Sequence, residues 1–203
     1  MIDKGLYFIT DSKLTKQSVL VDTKQALEAG VKTVQFREKQ FSMAQRYETA
    51  LQLKTLCHQY GAKLIINDGI DLALAIGADG IHIGQDDMPF AVCKKLVGNQ
   101  MEIGLSTHSL AQALEAVELG ADYIGFGPVF SSSTKPEAGS SKGISALAEV
   151  VSQVNIPVVA IGGIKTANLS GVVKTEVSNI AIISEIITSD SVATAVKEIM
   201  EKL

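Results

Sequence analysis

The sequence predicts a single-domain α/β protein, a closed (β/α)8 barrel spanning residues 1–203. Three observations carry that expectation. Eight short β-rich runs alternate with stretches of helical apolar spacing, the pattern that builds a parallel sheet wrapped by helices. Five helix-like stretches stop at a glycine, at Gly30, Gly61, Gly77, Gly98 and Gly120. Glycine suits the left-handed position that ends a helix before the chain turns into a strand. The last two strand-like runs finish in Gly162-Gly163 and in Ser184. The loops after strands seven and eight are where such barrels seat a phosphate, because glycine lets backbone N–H groups approach an anion and a hydroxyl adds a donor.

Taken in order, the first strand is Leu6–Thr10, followed by Asp11-Ser12-Lys13 rather than by Gly-x-Gly-x-x-Gly. That absence counts against an open, doubly wound sheet with a dinucleotide-binding turn. A helix then runs to Gly30, and Thr33–Lys39 forms the second strand. Side chains alternate along it, so Gln35, Arg37 and Lys39 share the interior face while Val34 and Phe36 face the helices. After the stop at Gly61, strand Lys63–Asp68 ends in Asn67-Asp68. After Gly77, strand Gly80–Gln85 leads into Asp86-Asp87. After Gly98, strand Glu102–Thr107 ends in Ser106-Thr107-His108, and the next helix shows Leu110, Ala113, Leu114 and Val117 at helical spacing. Beyond Gly120, strand Tyr123–Phe130 opens into a loop over residues 131–142, and Pro157–Gly163 and Asn179–Ile186 complete the eight. Gly125-x-Gly127 meets Phe130 where a third glycine belongs, so it is no nucleotide fingerprint.

Composition narrows the function classes. The chain is 46% hydrophobic and 5% aromatic, without tryptophan, which suits strands covered on both faces. Its net charge of −4 argues against a nucleic-acid partner. No apolar run reaches membrane-span length, and Met1-Ile2-Asp3-Lys4 lacks a signal-peptide pattern, so a cytoplasmic protein is expected. Cys57 and Cys93 read as helical core thiols. The expected partners are small molecules, with no nucleic acid or membrane and with homo-oligomerisation left open.

The polar residues gather at the predicted C-terminal mouth. Arg37 and Lys39 suit an anionic ligand, the bland alternative being internal pairing of Arg37 with Asp68 or Asp87. Asp68 and Asp87, carboxylates from adjacent strands, suit Mg2+, which takes oxygens and bridges to phosphates. Asp87 reads equally as a helix cap, and Asp71 as the cap of the helix after strand three. Ser131-Ser132-Ser133-Thr134-Lys135 reads as an anion-binding loop. His82 reads as a ligand, a proton carrier or a hydrogen-bonded interior histidine; His108 opens a helix and His58 is exposed. A metal-and-diphosphate end beside a monophosphate end suggests the joining of two phosphorylated substrates.

These residues resemble the thiamine-phosphate synthase family. The resemblance rests on Leu6-Tyr7-Phe8-Ile9-Thr10-Asp11, Val34-Gln35-Phe36-Arg37-Glu38-Lys39, Ile66-Asn67-Asp68 and the stretch 77–87. It extends through Gly104-Leu105-Ser106-Thr107-His108, the stretch 121–130, Ser133-Thr134-Lys135-Pro136 and Ala160-Ile161-Gly162-Gly163-Ile164. It implies a TIM-barrel transferase that joins a hydroxymethylpyrimidine diphosphate to a thiazole phosphate by a dissociative route, with pyrophosphate leaving first. By position it implies that Gln35, Arg37, Lys39, Asn67, Ser106 and Lys135 hold the pyrimidine diphosphate, with Arg37, Lys39, Ser106 and Lys135 carrying catalysis. It further implies Mg2+ at Asp68 and Asp87, the thiazole at Ser132 and Thr134, and its phosphate at Gly163, Ile183 and Ser184.

Two departures stand out. Gly69 replaces the arginine that many members carry after Asn-Asp, and Glu176-Val177-Ser178-Asn179 replaces Gly-Ala-Asp-Gly before the last strand. The second lies opposite the mouth, where only stability is expected to respond. Two alternatives remain: a thiazole tautomerase-like barrel, whose catalytic histidine falls at Pro128, and a catalytically silent thiazole-phosphate-binding barrel.

Overall fold

In the computed structural model, which describes residues 2–131 and 139–203, eight parallel strands close in chain order. They are β1 (Gly5–Ile9), β2 (Thr33–Phe36), β3 (Lys63–Asn67), β4 (Gly80–Ile83), β5 (Glu102–Thr107), β6 (Tyr123–Phe126), β7 (Val158–Ile161) and β8 (Asn179–Ile182). β8 returns to β1 with Tyr7 beside Ala181, which removes every sheet edge. The helices are α1 (Val19–Glu28), α2 (Met43–Gln59), α3 (Ile70–Ile76), α4 (Phe90–Val97), α5 (Leu110–Leu119), α6 (Gly143–Gln153), α7 (Leu169–Val173), α8 (Ser184–Ile187) and α9 (Val192–Met200). Among the described residues no helix is long and apolar enough to cross a membrane.

The helix stops follow the predicted chemistry. Gly30, Gly61, Gly77, Gly98 and Gly120 all have positive φ, between 60° and 106°. At the helix starts, Ser18, Ser42, Ser109 and Ser191 accept backbone N–H groups, and Ser42 forms a reciprocal capping box with Gln45.

Two apolar cores result. Alternate strand residues such as Phe8, Val34, Phe36, Ile66 and Ile124 pack outward against the helices. Tyr7, Ile9, Ile65, Tyr123, Val159 and Ala181 fill the barrel interior. Glycines shape that interior: a Cβ on Gly104 would lie 2.1 Å from the Tyr123 ring, and one on Gly125 would lie 3.2 Å from His82. Two large polar rings therefore enter a small barrel because β5 and β6 leave space for them.

Several strand ends differ from expectation. β2 stops at Phe36, where β1 has run out and the Thr10 hydroxyl takes over the ladder, accepting from Arg37 N–H and donating to the Arg37 carbonyl. Buried Glu38 then accepts the Gln40 and Phe41 N–H groups and turns the chain away. Lys39 consequently lies outside the strand alternation, and it does not face the interior as Gln35 does. β6, β7 and β8 are likewise shorter than expected, and Ser184 begins α8 rather than continuing a strand. At the opposite end, Asn179 donates from its buried amide to the Asp3 carbonyl, and Gly5 N–H donates to Ser178 O. The altered segment before β8 thus ties down the N-terminal strand, away from the mouth.

Candidate functional site

A cavity of about 210 Å³ opens at the C-terminal mouth of the barrel. Gln35, Arg37, Asn67, His82, Ser106, Gly163, Ile183 and Ser184 all line it. Each sits at or just beyond a strand end, because inward alternation and parallel register bring the same level of eight strands together. Asn67 pairs in register with His82, His82 with Gly104, and Ser106 with Gly125.

Arg37 pairs with Asp11, 3.8 Å away, with both side chains largely buried. Its partner is therefore Asp11, beyond β1, and not Asp68 or Asp87; Asp68 lies beyond β3, the other neighbour of β2. Lys39 takes Asp68 instead, at 2.7 Å. Asp68 adopts φ 60°, in the left-handed region that aspartate tolerates better than most residues, and donates its N–H to the His82 carbonyl. Asp87 lies against Asp68 and accepts the Gly84 N–H at 2.7 Å. It folds the β4–α4 loop rather than capping a helix; Pro89 occupies the N-cap of α4.

The electrostatics of this trio are unequal. Burial opposes ionisation of Asp68, but the Lys39 hydrogen bond and the neighbouring Asp87 outweigh it, and the carboxyl titrates below its ordinary range. Burial and the neighbouring Asp68 carboxylate push Asp87 above its ordinary range. Two facing carboxyl groups thus lie near one lysine, a donor set of hard oxygens that a divalent cation fits. Among the described residues no cluster of three histidine, cysteine or acidic side chains converges, so water or ligand oxygens would complete any coordination.

Across the cavity, Gly162 and Gly163 have φ 98° and 61°. A Cβ on Gly163 would lie 2.4 Å from the Ser131 carbonyl, so only glycine fits there. The Asn168 amide donates to the Gly163 carbonyl at 3.0 Å, and Glu185 accepts Thr166 N–H at 2.7 Å. These bonds tie the β7–α7 loop to α8 and bring Gly163, Ile183 and Ser184 onto one wall.

The remaining assignments resolve one by one. Asp71 lies in the first turn of α3, behind the N-cap Gly69, and does not cap it. Ser109, not His108, caps α5, while His108 Nδ1 donates to the Gly127 carbonyl at 2.6 Å. His58 is half-exposed and bonds Asp79. Cys57 and Cys93 are buried in the helix layer, and burial pushes the Cys57 thiol up to about 12. Beside Gly69 lies the guanidinium of Arg46 from α2: a Cβ at residue 69 would come within 3.2 Å of its Nη2. Ser132, Thr134 and Lys135 lie outside the described residues.

The sequence reading missed Tyr7, Tyr123, Asp11 and Lys165. Lys165 lines the cavity from the β7–α7 loop. Tyr7 and Tyr123 are buried inside the barrel with hydroxyls 2.9 Å apart. Their signal was present: Tyr7 shares alternation with Ile9, and Tyr123 with Gly125.

A family model described as thiamine monophosphate synthase matches residues 6–186. A thiamine-phosphate synthase of Chloroflexus aurantiacus is 42% identical over 200 residues, 98% of this chain and 92% of its own. One from Dictyoglomus thermophilum is 42% identical over 203 residues, 99% of this chain and 91% of its own. The solved structure of a thiamine phosphate pyrophosphorylase from Pyrococcus furiosus has a TM-score of 0.90 at 38% identity, covering 97% of this chain and 94% of that one. A 3-hexulose-6-phosphate synthase from Salmonella typhimurium, with TM-score 0.76 at 16% identity over 98% of both chains, shares the fold alone.

Proposed function

The chain belongs to the thiamine monophosphate synthase family and is a transferase of thiamine biosynthesis; we propose that it joins 4-amino-2-methyl-5-hydroxymethylpyrimidine diphosphate to 4-methyl-5-(2-phosphoethyl)thiazole, releasing pyrophosphate. The observation that supports this most is the division of the mouth. Arg37 and the Lys39–Asp68–Asp87 cluster lie towards β2–β4, and Gly163 and Ser184 lie towards β7–β8. One end suits a diphosphate, the other a single phosphate.

In this reading the C–O bond between the pyrimidine methylene and the diphosphate breaks, and its electron pair leaves with pyrophosphate. The aminopyrimidine stabilises the methylene cation, and the thiazole nitrogen lone pair then forms the C–N bond. Arg37 and Lys39 hold the diphosphate and offset the charge that develops on it, where fixed cations act without reorganising. Gln35, Asn67 and Ser106 orient the pyrimidine diphosphate from the barrel interior. Asp68 and Asp87 would hold Mg2+, which when bound neutralises charge on the departing diphosphate. Gly163, Ile183 and Ser184 seat the thiazole phosphate, and Lys135, Ser132 and Thr134 keep the roles that the family resemblance implies. Neither thiol reaches the cavity, which fits a route without a covalent enzyme intermediate. A cytoplasmic setting belongs to the same proposal.

The deciding experiment is a pyrophosphate-release assay with both substrates, with and without Mg2+. The expected outcome is release that requires both substrates and the metal, with thiamine phosphate formed in equal amount. No release with intact thiazole-phosphate binding would favour a tautomerase-like or silent barrel instead. A second measurement isolates the monophosphate end. Ser184→Ala is expected to raise KM for the thiazole phosphate about tenfold with little change in kcat, the loss of one charge-assisted hydrogen bond. An unchanged KM would remove Ser184 from that seat.

A further inference from the structure

Along the cavity floor a chain of hydrogen bonds runs through the barrel interior. Gln35 Nε2 lies 3.0 Å from the Tyr7 hydroxyl, and Tyr7 Oη lies 2.9 Å from Tyr123 Oη. His82 Nδ1 lies 3.1 Å from the Tyr123 hydroxyl, and His82 Nε2 lies 2.9 Å from Ser106 Oγ. All five residues line the cavity, Gln35, Tyr7 and Tyr123 as its buried floor and His82 and Ser106 less deeply. The Tyr123 and His82 rings pack into the space that Gly104 and Gly125 leave, as described above.

The chain has a direction. An amide nitrogen only donates, so Tyr7 oxygen accepts from Gln35; of the two possible orders of the tyrosine pair, the one that gives both buried hydroxyl protons an acceptor within this chain sends the Tyr7 proton to Tyr123 oxygen. The Tyr123 proton then goes to His82 Nδ1, which must be bare. The imidazole proton therefore sits on Nε2 and is donated to Ser106 oxygen. With its oxygen engaged as an acceptor from the histidine, Ser106 has its own proton to offer to the cavity. Burial pushes both tyrosine hydroxyls well above their ordinary range, so they stay protonated and keep the order intact.

We propose that Gln35, Tyr7, Tyr123 and His82 form a directional relay that presents Ser106 as a hydrogen-bond donor to the leaving diphosphate. Tyr7, Tyr123 and His82 are positioning residues in this scheme; they act through Ser106. The proposal rests on the reading of Ser106 as a ligand of the pyrimidine diphosphate. Its geometric half, the placement of the imidazole proton, does not.

The test has two arms on the full-length protein. In the first, 15N resonances of the histidine rings are recorded at neutral pH, with His82 assigned by His82→Gln. A proton on Nε2 and a bare Nδ1 are expected. A proton on Nδ1, alone or together with one on Nε2, overturns the relay. In the second arm, Tyr123→Phe is expected to lower kcat about tenfold, the worth of one buried hydrogen bond, while KM for the pyrimidine diphosphate changes less than twofold. The same change in a Ser106→Ala background should cost less than twofold, because the relay then has nothing to orient. An equal loss in both backgrounds would make Tyr123 merely structural and would overturn the proposal. His82→Gln places an amide donor near the Nε2 position and should retain more kcat than His82→Leu; equal losses count against the relay. Should Tyr123→Phe fail to fold, Tyr7→Phe repeats the cycle one link further back. If the unaltered protein released no pyrophosphate, the functional reading would fail, and the ring-proton measurement would still decide the relay.

Discussion

Asp87→Asn is expected to lower turnover about 10²–10³-fold while making the metal-free protein more stable, the two effects sharing one cause. Burial and the Asp68 carboxylate hold the Asp87 carboxyl above its ordinary range. A group whose folded value is raised lends stability below its unfolded value, and loses that contribution as pH rises through the folded one. At neutral pH, therefore, ionised Asp87 facing Asp68 opposes folding. Asp68 behaves oppositely: its lowered value lends stability above the ordinary carboxylate range, lost as pH falls through the folded value. Asparagine removes the repulsion, gives Asp68 an amide donor and keeps an oxygen for Gly84 N–H. With solvent screening at a partly exposed pair, a rise in Tm of about 1–3 °C at neutral pH is expected. Added Mg2+ should raise the Tm of the unaltered protein and leave that of the variant unmoved. A variant that melts below the parent without metal, or turns over like it at saturating Mg2+, would remove the carboxylate pair as the cation site.

Gly127→Ala is expected to cost at least about 3 kcal/mol and to deprive the cell of folded protein. A Cβ there would stand 2.1 Å from the Ile161 carbonyl oxygen on β7. That oxygen already accepts Val129 N–H at 2.8 Å, and Gly127 N–H donates to the Thr107 carbonyl at 3.2 Å. Backbone on both sides is held by its own hydrogen bonds, so neither can yield the way a flexible side chain does. Denaturant unfolding of the purified variant, compared with Gly171→Ala, checks this. At Gly171 the nearest atom is the end of the Ile144 side chain, which can rotate away. Equal stability of the two variants would refute the argument.

The architecture was legible because it is written in repeated local signals. Helix-ending glycines recur in five units, strand-like runs and helical apolar spacing alternate along the chain, and closure follows once eight units are counted. Gln35, Asn67, Ser106 and Gly163 were legible as residues of the mouth for the same reason, since each sits near or just beyond the C-terminal end of a strand, and all four line the cavity. Lys39 was placed on the wrong face because a side chain, Thr10, ended β2 early, and no pattern within residues 33–39 encodes a hydroxyl from another strand. Arg37 was read as a cation for an anionic ligand, with Asp68 or Asp87 as the internal alternative; Asp11 was not legible as its partner because nothing within residues 33–39 says which neighbouring strand, β1 or β3, turns a carboxylate towards it.

What the sequence determined by itself was the barrel, its mouth and the kinds of charge gathered there, all set by the local conformational preferences of each strand–helix unit. The tertiary structure alone decided which charges meet. It paired Arg37 with Asp11 and Lys39 with Asp68, pressed Asp87 against Asp68, and threaded two tyrosines and a histidine into the space left by Gly104 and Gly125. Pairing across strands depends on distances of a few ångströms between residues tens of positions apart, and only the closed sheet sets those distances.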